Sequence, residues 1–139
     1  MRDRTMGDLV KDQRPLAMPP DTSVAEACAA MLTRRVGAVL VVEGDRLAGI
    51  FTGRDALRCL AEALDARATT LAQVMTANPT TLLPHHGAME ALRVLDDGGF
   101  RHLPVCEEGR VVGIVSRYDF RAREHARLDE ESGFFERMR

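Results

Sequence analysis

Lysine is almost missing from this chain. Lys11 stands alone, and the other 18 of the 19 basic residues are arginine. Nor is there an excess of positive charge, since 21 acidic residues bring the formal net charge to −2. That removes the broad basic footprint that nucleic-acid binding requires. No apolar run approaches the ~20 residues that a membrane span takes, and the charged start Met1-Arg2-Asp3-Arg4 is not followed by a signal-type apolar stretch. The three cysteines, Cys28, Cys59 and Cys106, are odd in number and form no CxxC pair. Cys28 and Cys106 fall at apolar-pattern positions and read as buried thiols in a reducing cytosol, so a soluble cytoplasmic protein is expected. No Ser/His/Asp, Cys/His or paired-carboxylate constellation is present, so an enzyme is not expected. The arginine bias itself has two readings: codon usage in a GC-rich genome, or phosphate recognition by the planar guanidinium fork.

What the chain does have is a repeat. Gly49-Ile50-Phe51-Thr52-Gly53-Arg54-Asp55 returns as Gly113-Ile114-Val115-Ser116-Arg117-Tyr118-Asp119, an offset of 64 residues. The register holds without a gap through Arg46/Arg110, Val41/Val105, Ala27/Ala91 and Pro20/Pro84, and reaches Val10/Val74. Both copies must therefore build the same unit.

Each copy reads as β-α-β-β-α. Leu16-Ala17-Met18 and Thr80-Thr81-Leu82-Leu83 are hemmed in by prolines and read as short strands or extended segments. Ser23-x-x-Glu26 is a capping box that opens a helix. Val24, Ala27, Cys28 and Met31 then form one apolar face, as do Ala88, Ala91, Leu92 and Leu95 in the second copy, whose helix should stop at Gly98-Gly99. The apolar run Ala38–Val42 suits a strand buried on both faces, with a turn at Glu43-Gly44-Asp45 before the return strand. Leu103–Cys106 is its counterpart, where Pro104 points to an edge or a bulge. Closing helices are expected from Arg54 to about Leu64 and from Arg117 to about Arg127. A unit of ~60 residues is marginal alone. The expected fold is thus α+β, with two repeats related by a pseudo-twofold axis, packed sheet to sheet around a shared core. Clefts between the repeats are natural ligand sites.

The best-matched stretch puts a hydroxyl and a carboxylate at fixed spacing: Thr52-x-x-Asp55 and Ser116-x-x-Asp119. One reading is a helix cap, with the hydroxyl at the N-cap and the acid in the first turn. The other uses the same geometry for a ligand. A helix N-terminus suits phosphate, and an ionised carboxylate accepts hydrogen bonds from a ribose diol. The two are compatible. His85-His86 reads as a solvent-facing loop before a helix rather than a metal site, because adjacent histidines diverge and no third ligand lies nearby. The tail from Arg121 alternates charges and carries Phe134-Phe135 near its end, read either as an anchor on the core or a dimer mate, or as a contact for a separate effector.

Two copies of G-h-h-[S/T]-x-x-D after a hairpin, with Arg101-His102-Leu103-Pro104-Val105 before the second and Val74-Met75-Thr76-Ala77-Asn78-Pro79 at its entry, resemble the CBS domain. The tandem pair is known as a Bateman module. The resemblance places repeat 1 at 5–66, repeat 2 at 67–127 and a charged tail at 128–139. It implies a regulatory module that needs no cofactor and often forms a homodimer. Such modules are usually attached to an enzyme, channel or transporter, and this one is expected to stand alone and signal to a separate effector protein. Its ligand would be AMP, ADP, ATP or S-adenosylmethionine. The alternative is a dimerisation or protein-interaction module without a nucleotide. By resemblance, Asp55 and Asp119 hold ribose hydroxyls while Thr52 and Ser116 lie near phosphate. Arg54, Arg101 and Arg117 are candidates to pair with phosphate bidentately, and His102 belongs to the ligand cleft or the hairpin rather than to a metal site. Backbone groups around Met18, Leu82, Ile50 and Ile114 would sandwich the adenine. Leu40 departs from the family's usual proline. The copies are unequal, because Arg101-His102 faces Gly37-Ala38 in the alignment of repeats. If one site is filled, the one with Arg101 is expected to be it.

Overall fold

The computed structural model describes residues 4–121 and 124–130. The elements in order are α1 (Met6–Leu9), β1 (Ala17–Met18), α2 (Val24–Arg34), β2 (Ala38–Glu43), β3 (Arg46–Thr52), α3 (Gly53–Ala61), α4 (Leu71–Val74), β4 (Thr76–Ala77), α5 (Ala88–Gly98), β5 (His102–Glu107) and β6 (Arg110–Ser116), then a 3₁₀ turn, Arg117–Asp119. Residues 124–130 are helical. Strands and helices are mixed throughout, as the α+β class requires.

The chain forms two compact units, neither of them a continuous stretch. The repeat-1 unit is Gln13–Thr80 with Glu108–Val111; the repeat-2 unit is Met1–Asp12, Thr81–Glu107 and Val112–Arg139. The units thus cut across boundaries drawn at 5–66 and 67–127. Each short lead-in helix joins the unit of the other repeat. A four-residue helix cannot bury its own apolar side chains, so it borrows a core. Met6 and Val10 enter the core of Leu82, Leu92, Leu95, Leu103, Val105 and Val115. Leu71 enters that of Val24, Met31, Val39, Val41 and Phe51. The backbone bonds recur with acceptors 64 residues apart but donors 65 apart, so the lead-in helices sit one residue out of the repeat register. Met6 N–H donates to the His86 carbonyl at 2.8 Å and Gly7 N–H to Pro84 at 2.8 Å; Leu71 N–H donates to Thr22 at 2.9 Å and Ala72 N–H to Pro20 at 3.0 Å.

In the repeat-1 unit, β1 runs parallel to β2 (Met18↔Val41), and β2 antiparallel to β3 (Leu40↔Ile50) with a bulge between Val41 and Val42. Ala38 through Val41 are all buried, as the continuous apolar run requires. β4 pairs with β3 at Gly49↔Ala77. A Cβ on Gly49 would meet the Thr76 carbonyl at 2.7 Å, so this close approach needs glycine. In the repeat-2 unit, β5 neighbours β6. In place of a counterpart to β1 there is a single parallel bridge, Leu82↔Val105. It is held by Leu82 N–H to the Pro104 carbonyl and Cys106 N–H to Leu82, both 2.9 Å.

Two sequence expectations need correction. The second closing helix does not run on from Arg117. A 3₁₀ turn ends at Asp119, and Phe120 is extended (φ −96, ψ 144) and buried before helix returns at 124–130. Phe120 stands where repeat 1 has Ala56, and its ring goes into the core beside Leu128. Drawing so large a side chain inward breaks the helical path. Among the thiols, Cys59 and Cys106 are buried but Cys28 only partly, at the margin of the α2 face. Burial raises all three thiol pKa values, and Cys28 is raised further by Cys59. The expectations for Phe134-Phe135 lie outside the described residues. Among the described residues no helix is long and apolar enough to cross a membrane.

The caps also differ between repeats. Ser23 Oγ accepts from Glu26 N–H at 3.1 Å at the start of α2. At the C-terminal ends, α5 stops at Gly99 (φ 66), but α2 stops at Arg35, also left-handed (φ 55). A left-handed non-glycine residue is strained by roughly 1–2 kcal/mol. Arg35→Gly should therefore stabilise the chain by about 0.5–1 kcal/mol after the added freedom of the unfolded chain is counted. Urea unfolding checks this; a loss of stability would mean that the Arg35 side chain itself matters.

Candidate ligand cleft

Both copies of the hydroxyl–acid motif fold into capping boxes. Asp55 N–H donates to Thr52 Oγ1 at 3.3 Å, while Asp55 Oδ2 accepts from Thr52 N–H at 2.9 Å and from its hydroxyl at 3.1 Å. Asp119 Oδ2 likewise accepts from Ser116 N–H at 2.6 Å and its hydroxyl at 3.3 Å. The other carboxylate oxygen separates the copies. Asp55 is 7% exposed, and its Oδ1 is met by Arg58 Nη2 at 3.1 Å. Arg58 is itself held by the Val74 carbonyl at 3.1 Å. Asp119 is exposed, and among the described residues nothing donates to its Oδ1. The repeat position of Arg58 is Ala122, which has no cation to offer.

The repeat-2 unit also holds a cleft of about 500 Å³ lined by Arg101, His102, Arg117, Tyr118 and His125. Three of these were expected from sequence, and Tyr118 lies within the motif. His125 was missed, because the break at Phe120 resets the helix that carries it. His102 opens β5. Its pKa is lowered by burial and by Arg101, against the opposing pull of Asp119. Its Nδ1 is buried with no hydrogen-bond partner among the described residues. His125 Nε2 lies 3.1 Å from the Arg117 carbonyl, and its ring meets Phe120 edge-on at 6.3 Å. Arg117 pairs with Asp96 at 3.2 Å. Tyr118 is 97% exposed.

Arg4, unremarked in the sequence, braces this segment. Its Nη2 donates to the Asp119 carbonyl at 3.2 Å and pairs with Glu124 at 2.5 Å. Burial alone would raise the Glu124 carboxyl, but hydrogen bonds from Arg4 and the Arg121 N–H hold it below its ordinary value.

The remaining candidates are elsewhere. Arg54 is exposed in the first turn of α3, with Ile50 buried on β3 and Met18 half-buried on β1, all in the repeat-1 unit. Leu82 lies in the repeat-2 core rather than on the cleft wall, and Ile114 is half-buried on β6. His86 closes a turn: its Nδ1 accepts from Leu83 N–H at 2.8 Å. Among the described residues no group of three or more His, Cys, Asp or Glu could hold a metal ion.

A family model for the CBS domain matches residues 6–62 and 71–125. The chain belongs to the CBS domain family. It carries two such domains in tandem, which accounts for the gapless repeat. CBS domain-containing protein CBSCBSPB1 of Arabidopsis thaliana is 39% identical over 104 residues, 73% of this chain and 19% of the plant protein. The chain therefore spans about a fifth of that relative's length. Among solved structures, the CBS-domain containing protein ATU1752 from Agrobacterium tumefaciens superposes with a TM-score of 0.75 at 29% identity, covering 83% of this chain and 94% of that one. CBS domain protein PAE2072 from Pyrobaculum aerophilum, complexed with AMP, gives 0.81 at 23% identity, covering 91% and 98%. At that identity the likeness to PAE2072 is one of fold.

Proposed function

We propose that this CBS pair is a regulatory module, not an enzyme, that binds an adenosine-containing ligand and passes its occupancy to a separate effector protein. AMP, ADP, ATP and S-adenosylmethionine are the candidates; no cofactor is needed. The module would act as a cytoplasmic homodimer. The observation that carries the reading is the pairing, in one unit, of an open carboxylate with a cationic cleft. Asp119 Oδ1 has the lone pairs that a ribose diol needs. Arg101 and Arg117 supply guanidinium groups for phosphate, and a volume of about 500 Å³ is of the size small ligands occupy. The AMP held by PAE2072 is consistent with this chemistry. A three-residue 3₁₀ turn offers much less of a helix N-terminus than the sequence led one to expect, so phosphate binding falls to the side chains.

Occupancy signals only if the ligand binds two states of the module differently. Calorimetric titration with AMP, ADP, ATP, NADH and S-adenosylmethionine tests the first step. One of them should bind, at one site per chain. Silence from all five would remove the nucleotide reading. A second reading, an interaction module whose motifs serve only as caps, draws on the two capping boxes. It expects none of these ligands to raise the melting temperature.

A further inference from the structure

We propose that the repeat-2 cleft takes up a proton together with its anionic ligand, so that occupancy reports ligand and pH jointly. The inference rests on the reading of this cleft as the ligand site. It starts from two imidazoles, His102 and His125, lining one cleft with Arg101 and Arg117.

The His125 ring is set so that its remaining nitrogen needs a proton to meet an anion. His125 Nε2 lies 3.1 Å from a carbonyl oxygen, which can only accept, so that nitrogen carries the hydrogen. In the neutral ring Nδ1 is then a lone pair, which repels a phosphate oxygen. His102 has a buried Nδ1 with no partner, which in the protonated ring becomes a donor. The charges around the rings are mixed. His102 feels Arg101, which disfavours its charged form, and Asp119, which favours it. Around His125 stand Arg117, itself paired with Asp96, the Phe120 ring edge, and, on its own helix, Glu124, which is paired with Arg4. Tyr118 also lines the cleft. The free cleft thus keeps His102 neutral near neutral pH, because burial and Arg101 outweigh Asp119.

A phosphate monoester brings a charge of about −1.5 to −2. An anion beside an imidazole favours the protonated ring and raises its pKa. Between the free and the liganded pKa, binding then draws in a proton, and affinity rises as pH falls. Below the free value the ring is already charged and the gain levels off. One coupled proton gives up to about tenfold in affinity per pH unit.

The test is ring-nitrogen NMR of the full chain from about pH 5.5 to 8.5, with and without AMP. It is joined to calorimetry in buffers of different ionisation enthalpy for the wild type, His102→Gln and His125→Gln. The phosphate's own titration is common to all three proteins, so their difference isolates the rings. The ring midpoints of His102 and His125 should move up with AMP while His85 and His86 stay put, and each variant should take up less proton than the wild type. Saturation by AMP with unmoved midpoints and unchanged proton counts would overturn the inference while leaving the ligand reading intact. If AMP does not bind, sulfate, which exchanges no proton near neutral pH, is the probe. Sulfate that raises both midpoints upholds the coupling and leaves the adenosine reading to the other four ligands; sulfate that moves neither midpoint overturns the coupling.

Discussion

Alanine at Asp55 and alanine at Asp119 should give opposite phenotypes: the first loses stability, the second loses ligand. Asp55 is 7% exposed, and both of its oxygens are committed, Oδ2 to Thr52 and Oδ1 to Arg58. Removing it takes away a cap worth about 0.5–2 kcal/mol and hydrogen bonds to a charged group worth about 1.5–3 kcal/mol each. Arg58 is half exposed, so solvent screens its share and the sum falls short of additive. A loss of about 2–4 kcal/mol is expected. Asp119 is exposed and caps only a 3₁₀ turn, so its loss should cost about 1 kcal/mol or less. Under the proposed function its open Oδ1 accepts from a ribose, and removing such a charge-assisted hydrogen bond should weaken binding by about 10- to 100-fold. Urea unfolding and calorimetry on the two variants settle the matter together. Equal loss of affinity in both would show that the repeats share the ligand role. An unchanged affinity in Asp119→Ala would remove the ribose contact.

The asymmetry behind that prediction was only half legible in the sequence. The repeat, the buried run Ala38–Val41, the stop at Gly98-Gly99 and the contrast of Arg101-His102 with Gly37-Ala38 follow from local pattern, because each depends on spacing within one element. The Asp55–Arg58 pair is a helical i,i+3 contact, and its loss in repeat 2 is written as Ala122. His125 and Arg4 could not be found that way. His125 reaches the cleft only because Phe120 turns into the core and restarts the helix, a tertiary choice that overrides the helical spacing from Arg117. Arg4 sits 115 residues from the carbonyl it braces. The exchange of lead-in helices was hidden for a different reason. A gapless repeat aligns Val10 with Val74 but is silent on which copy each one packs against.

Met6→Ala is expected to be among the most damaging single changes in the chain, although it lies near the N-terminus, where truncation to alanine is usually tolerated. Met6 is 0% exposed and packs in the core of the repeat-2 unit. A buried methionine cut to alanine costs about 2–5 kcal/mol, because the cavity it leaves collapses only in part. The upper part of that range is favoured by the backbone around it. Met6 and Gly7 N–H donate to His86 and Pro84, and Ala88 N–H donates to Arg4, so the segment is fixed at both ends and cannot settle into the void. Its structural counterpart Leu71, also 0% exposed, should cost a similar amount in the repeat-1 unit. Amide hydrogen exchange tells the two apart. Met6→Ala should speed exchange at Leu92, Val105 and Val115 before Val39 and Phe51, and Leu71→Ala should do the reverse. If Met6→Ala instead loosened Val39 and Phe51 first, or cost less than about 1 kcal/mol, the lead-in helix would belong with its own repeat. The brace from Arg4 to Asp119 would then lose its footing as well, since Arg4 reaches that carbonyl only while α1 is seated.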